Sequence, residues 1–451
     1  MAAAAAVLRC AAMRRTLPLL PLLILAACDD GGGAIVDAAT IDTPMNDCGC
    51  VADTPEPTVT VQVLDSAGPL AGVPVYFLDG LGAQVALAST DTFGQAHAPM
   101  PTGGSVTAVM ADTGFGDRLA TALGVQPGDT IYVRARGGGT DKLIDLTVPA
   151  DGAHGHYMVD TPCGSADVLT EVGTTATFQV QLFGCGATTD FKVSADNGDG
   201  GTVSTFIATN VPIADAAAVT LTGTYAADVD VAQSYSNLPA SVSFVSGERA
   251  LIGSRGAMWT TSIGLDVVGG AATGTLAVPV VGATGPTLVA TTRVNRNLGP
   301  SESLLFAHPA DGDYALDATG ALLPSFTTNA QFDIASNTLA WTEDATGATP
   351  DLSFASLQVN RSLLKRSWTW DVVAPHAATE LVLPVLPGAA ADFNPVATDD
   401  VVVNDHLTAA VPGGYAVGRS YAHLATSFEH FASVLTGQLV IERQYIPSKR
   451  R

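Results

Sequence analysis

Few residues in this chain have the type and spacing that chemistry requires. On a strand, His154-Gly155-His156 would place two imidazoles on one face as metal ligands, with Asp151 and Asp160 close enough in sequence to complete a site. Asp151-Gly152 and Gly155 flank the pair, so the plainer reading is an exposed turn between domains. Asp311-Gly312-Asp313 with Asp317 has the oxygen density of a Ca²⁺ site but not the twelve-residue loop pattern, and an ordinary turn is expected there. Asp196-Asn197-Gly198-Asp199-Gly200 reads the same way. His423 and His430, seven apart with Glu429 beside His430, would share a solvated helix face. Trp368 and Trp370 alternate along one run, which suits either a glycan-stacking platform or core packing, and core is the plainer reading. No Lys follows a Gly, so there is no Walker A loop. G-x-S-x-G, H-E-x-x-H and G-x-G-x-x-G are also absent. No catalytic residue and no cofactor is expected.

The elements that must position these residues are strands. Val59, Val61 and Val63 alternate with Thr58, Thr60 and Gln62, and Val73, Val75 and Phe77 repeat the pattern after a turn. Further alternation falls at 131–133, 143–148, 178–182, 276–281, 288–294, 352–359, 368–372 and 381–385. Dense Gly, Asp and Pro turns separate these runs. Short strands at such spacing predict an all-β chain of tandem β-sandwich (immunoglobulin- or prealbumin-like) domains with at most one or two short helices. One helix is expected, from Leu424, Phe428, Phe431 and Leu435 at i, i+4, i+7 and i+11, with Gly437 capping its end.

Residues 57–110 resemble the carboxypeptidase regulatory-like domain, a small prealbumin-like sandwich. The resemblance rests on Asp65, Gly68, Pro69, Leu70, Gly72, Val73, Val75, Thr90, Asp91, Gly94 and Gly103. In that family the module is a non-catalytic accessory, so the resemblance implies that these Asp and Gly residues cap turns and supply positive-φ positions.

The first 27 residues read as a secretory signal: Arg14-Arg15, an apolar run over 17–25 too short to span a bilayer, then small residues before Cys28. Leu25-Ala26-Ala27-Cys28 resembles the lipobox of bacterial lipoproteins, which implies a lipidated Cys28 at the start of the mature chain. Four cysteines remain after Cys28. Cys163 and Cys185 stand beside glycines and flank a strand-like run, and a disulfide between them is expected. Cys48-Gly49-Cys50 is too tight for an unstrained bridge and too small for a zinc site. The 43 Asp+Glu against 20 Lys+Arg give a net charge of −23, which argues against a nucleic-acid partner, because phosphate binding needs a basic face.

The expected organisation is a lipoprotein signal peptide over 1–27, a flexible tether over 28–56, a carboxypeptidase regulatory-like sandwich over 57–149, a disulfide-bearing sandwich over 150–250 and a C-terminal β-rich domain over 251–451. The expected role is that of a lipid-anchored cell-envelope protein with a non-catalytic binding, adhesion or scaffold function. Its partners would be the membrane, through the anchor, and a protein or glycan at the cell surface. Outer membrane or cell surface is favoured over inner membrane. The alternative is a secreted hydrolase, or the carbohydrate-binding accessory of one, with its site in 251–451. It requires a pocket where His308, His376, His406 or His423 meets carboxylates.

Overall fold

The computed structural model describes residues 57–65, 68–111, 116–135, 140–198, 203–253, 256–282, 285–296, 301–377, 379–424 and 427–444. The signal segment, Cys28, the tether, Cys48 and Cys50, Asp199-Gly200 and the basic C-terminal end lie outside the described residues.

The first segment carries β1 (Thr58–Leu64), β2 (Pro74–Leu78), β3 (Gln84–Ser89), β4 (Gln95–Pro99), β5 (Gly104–Met110), β6 (Asp117–Val125) and β7 (Thr130–Arg134). There follow β8 (Thr140–Val148), β9 (His156–Thr161), β10 (Gly164–Leu169), β11 (Ala176–Cys185), β12 (Thr188–Asp196), β13 (Ser204–Pro212), β14 (Ala218–Thr220) and β15 (Ala226–Ala227). Next come β16 (Val229–Ser236), β17 (Phe244–Gly253), β18 (Gly256–Asp266), β19 (Ala272–Val278), β20 (Thr287–Val294), β21 (Ser301–His308) and β22 (Tyr314–Asp317). The last group is β23 (Phe326–Asp333), β24 (Thr338–Glu343), β25 (Leu352–Arg361), β26 (Arg366–Pro375), β27 (Glu380–Val382), β28 (Asp400–Ala410), α1 (Gly414–Tyr421), α2 (Phe428–Ser433) and β29 (Gly437–Gln444). The fold is all-β, built as sandwiches, and the helices among the described residues are short.

Twelve strands form one sheet in the order β18-β17-β20-β21-β29-β28-β25-β26-β6-β5-β2-β3. Smaller sheets cover parts of it, because each alternating strand must bury one face. The sheet β4-β1-β7 packs Val59, Val61 and Val63 against Phe77, Val106 and Ala122, and this core continues to Leu407, Phe431 and Ile441. The sheet β23-β24-β27 covers β25 and β26, with Phe326 and Trp341 against Leu357 and Trp370. Residues 140–227 gather a separate core around Leu146, Tyr157, Phe191 and Phe206 between β11-β8-β14 and β10-β9-β12-β13-β15. The first and last segments are joined by a parallel pairing in which Trp368 to Val373 of β26 lie opposite Asp117 to Ala122 of β6.

The motif residues of the first segment hold its turns. Asp65 Oδ1 accepts from the Gly68 amide at 2.9 Å, and Asp91 Oδ1 accepts from Phe93 and Gln95. The Thr90 hydroxyl donates to the Leu70 carbonyl and accepts from the Val73 amide, tying three stretches together. Gly94 has φ +73°, and a Cβ there would stand 2.4 Å from the Val63 carbonyl oxygen.

The expected helix over 424–435 is corrected. Helix α1 ends at Tyr421, and a second helix starts at Ser427, whose hydroxyl accepts from the His430 amide. Gly437, with φ +122°, opens β29 and caps no helix. The i, i+4 spacing detected a buried apolar face and missed the break between the two turns.

Candidate functional site

The sequence-derived candidates are dispersed. His154 precedes β9, with Nδ1 3.2 Å from Asp151 Oδ2. His156 opens β9, and its Nδ1 lies 2.7 Å from Asp196 Oδ1, a bond that raises the imidazole above its ordinary pKa. The two rings thus take different carboxylates, and among the described residues no three His, Cys, Asp or Glu side chains are grouped to hold a metal ion. This corrects the candidate metal pair. Asp160 turns to Lys192 instead. Asp313 accepts from the Ala232 amide and Asp317 from Asn237 and the Thr319 amide, so these carboxylates hold turns and strand ends. Cys163 and Cys185 form the disulfide, with 5.8 Å between Cα atoms.

Trp368 and Trp370 are fully buried, which corrects the glycan platform, since a ring with no exposed face cannot stack on a sugar. Trp370 Nε1 donates to Thr121 Oγ1 at 2.9 Å. His423 and His430 are buried as well, and desolvation pulls both pKa values down to about 4. They do not form a solvated helix face.

Thr369 and Asp371, which alternate with the tryptophans, point the other way, into a half-open cavity of about 510 Å³. Strand alternation builds its floor: Phe354, Ser356 and Gln358 from β25, Thr369 and Asp371 from β26, and Ile441 and Arg443 from β29. A bulge in the β25–β28 register brings both Asn404 and Asp405 to the lining. The wall is the start of α2, with Ser427, Phe428, Glu429 and Phe431. Two ion pairs frame the space. Arg118 bonds Asp371 at 2.7 Å and the Arg134 carbonyl at 2.5 Å. Arg443 bonds Asp405 at 3.1 Å and lies over the Phe428 ring, 5.3 Å from its centroid. Burial pushes the Asp405 carboxyl up, and Arg443 opposes it. The lining thus offers two mutually neutralised ion pairs and the Glu429 carboxylate beside aromatic edges.

Beside the opposite face, His376 approaches Glu343, while Glu442 is held by Arg296 and Ser303. Ser353 Oγ lies 3.1 Å from His376 Nδ1, and His376 Nε2 lies 3.7 Å from Glu343 Oε2. Glu343 also accepts from Trp341 Nε1 at 2.6 Å, and burial pushes its pKa up to about 7. His406, buried between the tilted rings of Phe326 and Trp341, is pulled down to about 3. The order Ser-His-Glu is that of an activated nucleophile, but Ser353 is 1% exposed and leaves no approach for an acyl carbon. None of these groups lines the cavity. His308 stands apart, bonded to Thr287 and the Leu435 carbonyl. Sequence reasoning missed Arg118, Asp371, Asp405 and Arg443, whose only signal was their alternation with apolar neighbours.

No family model and no curated protein matches the chain. Solved structures similar to it include the Bacillus anthracis TIE protein, at 12% identity over 58% of this chain with a TM-score of 0.15. The match spans 49% of the TIE protein's own length. Others are the tip fimbrial protein Mfa3 of Porphyromonas gingivalis (11% identity, 34% of this chain, 78% of that one, TM-score 0.15) and the shaft pilin SpaA of Lactobacillus rhamnosus GG (11%, 37%, 97%, 0.13).

Proposed function

We propose that this chain is a non-catalytic protein of the cell envelope, held by a lipid on Cys28, with an adhesion or scaffold role exercised by binding a neutral, hydroxyl-rich ligand of glycan type. The observation that carries the reading is the cavity between β25–β29 and α2. Its arginines are each committed to a carboxylate, which suits paired hydroxyl groups better than a charged ligand. Phe354 and Phe428 add apolar edges for the C–H face of a sugar ring. The leader and lipobox support export and anchoring at the outer membrane or cell surface, and the disulfide suits an oxidising compartment.

The test is a glycan array probed with a soluble form lacking residues 1–28, followed by titration calorimetry on the hits. Saturable binding that weakens about tenfold (roughly 1.4 kcal/mol) in Asn404→Ala or Phe428→Ala supports the reading. Binding unaffected by both substitutions removes the cavity from it. Anchoring is tested separately, because Cys28→Ala should move the protein from the membrane fraction to the soluble one. Ser353, the serine set against His376 and Glu343, is closed to substrate and gives the hydrolase alternative no support, and ester hydrolysis lost in Ser353→Ala would overturn the present reading.

A further inference from the structure

The chain has only four lysines, and one of them, Lys192 on β12, is 2% exposed. A lysine is rarely buried so fully without a compensating partner. Its direct cross-strand neighbour on β9 is Asp160, and the Lys192 Nζ to Asp160 Oδ2 distance is 3.3 Å. Ser194, two residues along, also takes a hydrogen bond from the amine, and Trp259 covers it with its ring centroid 4.8 Å away. A second carboxyl, Asp228, interacts electrostatically with Lys192 and accepts from Thr205 Oγ1 at 2.7 Å, while Thr205 lies opposite Ser194 in the ladder. An amine, a carboxyl and a second acid are therefore gathered on one largely covered sheet face.

We propose that Lys192 and Asp160 are joined by an intramolecular amide that the folded chain forms by itself. One proton passes from the ammonium to the Asp160 carboxylate, leaving a neutral amine and a neutral acid. The Nζ lone pair attacks Cγ of Asp160, the new C–N bond forms, and the Cγ–O bond to the protonated oxygen breaks. One water leaves. Asp228 accepts the proton released by nitrogen and returns one to the departing hydroxyl, so it is unchanged at the end. No oxidant and no other reactant is needed. Burial lowers the pKa of Lys192, which favours the uncharged amine that attacks, and raises that of Asp228, which makes its carboxylate the more basic one to take up the nitrogen's proton. The product removes two charges from a covered site and staples β9 to β12.

Trypsin and mass spectrometry on the reduced, denatured full chain decide the matter. No Lys or Arg lies between Leu143 and Lys192 or between Lys192 and Arg249. With the amide in place, trypsin cannot cut after Lys192, and the peptide Leu143–Arg249 appears whole, lighter than its sequence mass by one water. Lys192→Arg keeps a cation and Asp160→Ala removes the carboxyl, and both should give cut peptides at full mass. Wild-type peptides cut after Lys192 at full mass would show an ordinary ion pair and overturn the proposal. Loss of water with the cut retained would place a succinimide elsewhere, for instance at Asp151-Gly152, and overturns it equally. The wild-type peptide decides even where a variant fails to fold.

Discussion

A change of one position along a strand separates the buried tryptophans from the cavity. Trp368 and Trp370 fill the core under β23-β24-β27, and Thr369 and Asp371 face the cavity. Trp370→Ala should therefore leave glycan binding to be judged only after a stability loss of about 3–5 kcal/mol, read by chemical denaturation. Arg118→Ala is expected to cost a similar amount, because it leaves the 5% exposed carboxylate of Asp371 without its cation. Asn404→Ala, at the exposed rim, should leave the unfolding midpoint unchanged and move only affinity. Equal effects of Arg118→Ala and Asn404→Ala on the midpoint would contradict this division.

At the scale of elements, the cavity wall depends on a six-residue helix too short to hold itself together. The Ser427 hydroxyl caps it, and Ser427→Ala should cost about 1 kcal/mol and speed amide exchange across α2 while the sheet stays protected. The disulfide acts on a different element. Cys163 and Cys185 close a loop with a sequence separation of 22, and removing them as Ser should cost about 3 kcal/mol in the chain-entropy model. A loss near zero would mean that β9, β10 and β12 are held by something else, for which the Lys192–Asp160 link is the obvious candidate.

At the scale of the whole molecule, β6 is hydrogen-bonded to β26 across about 250 residues of chain, and Val59 shares a core with Ile441. Three buried histidines give the molecule a pH dependence. His406, His423 and His430 are held down to about 3, 4 and 4, against about 6.5 when unfolded. A depressed pKa means the stability is present above pH 6.5 and is lost as the pH falls through the folded values. Glu343, raised to about 7, works in the other direction, since its contribution is complete below its unfolded value and is lost as pH rises. Asp228, Glu248, Asp405 and Glu442 are raised by burial as well, so the histidine contribution is read by difference, and the melting temperature of the wild type relative to His406→Phe is expected to fall between pH 6.5 and 4. A variant profile parallel to the wild type would refute the assignment.

Local chemistry determined much of this protein directly from sequence. Period-two alternation marked β1, β7, β11, β20 and β25, because a half-buried strand must alternate. Asp65, Thr90, Asp91 and Gly94 marked turns, because carboxylate caps and positive φ are local requirements. The spacing of Cys163 and Cys185 foretold their bridge. Strands such as β12 and β28 were not legible, because β12 is buried on both faces and β28 carries a bulge, and both break the alternation. Which face of β26 meets the core was not fixed by Ser367-Trp368-Thr369-Trp370-Asp371, whose alternation allows its aromatics inward or outward, with core the plainer reading. The tertiary structure decided that point by laying β24 and β27 over the tryptophans. The cavity likewise exists only because β6, β25, β26, β28 and β29 become neighbours, and pairing between strands hundreds of residues apart leaves no mark on either strand alone.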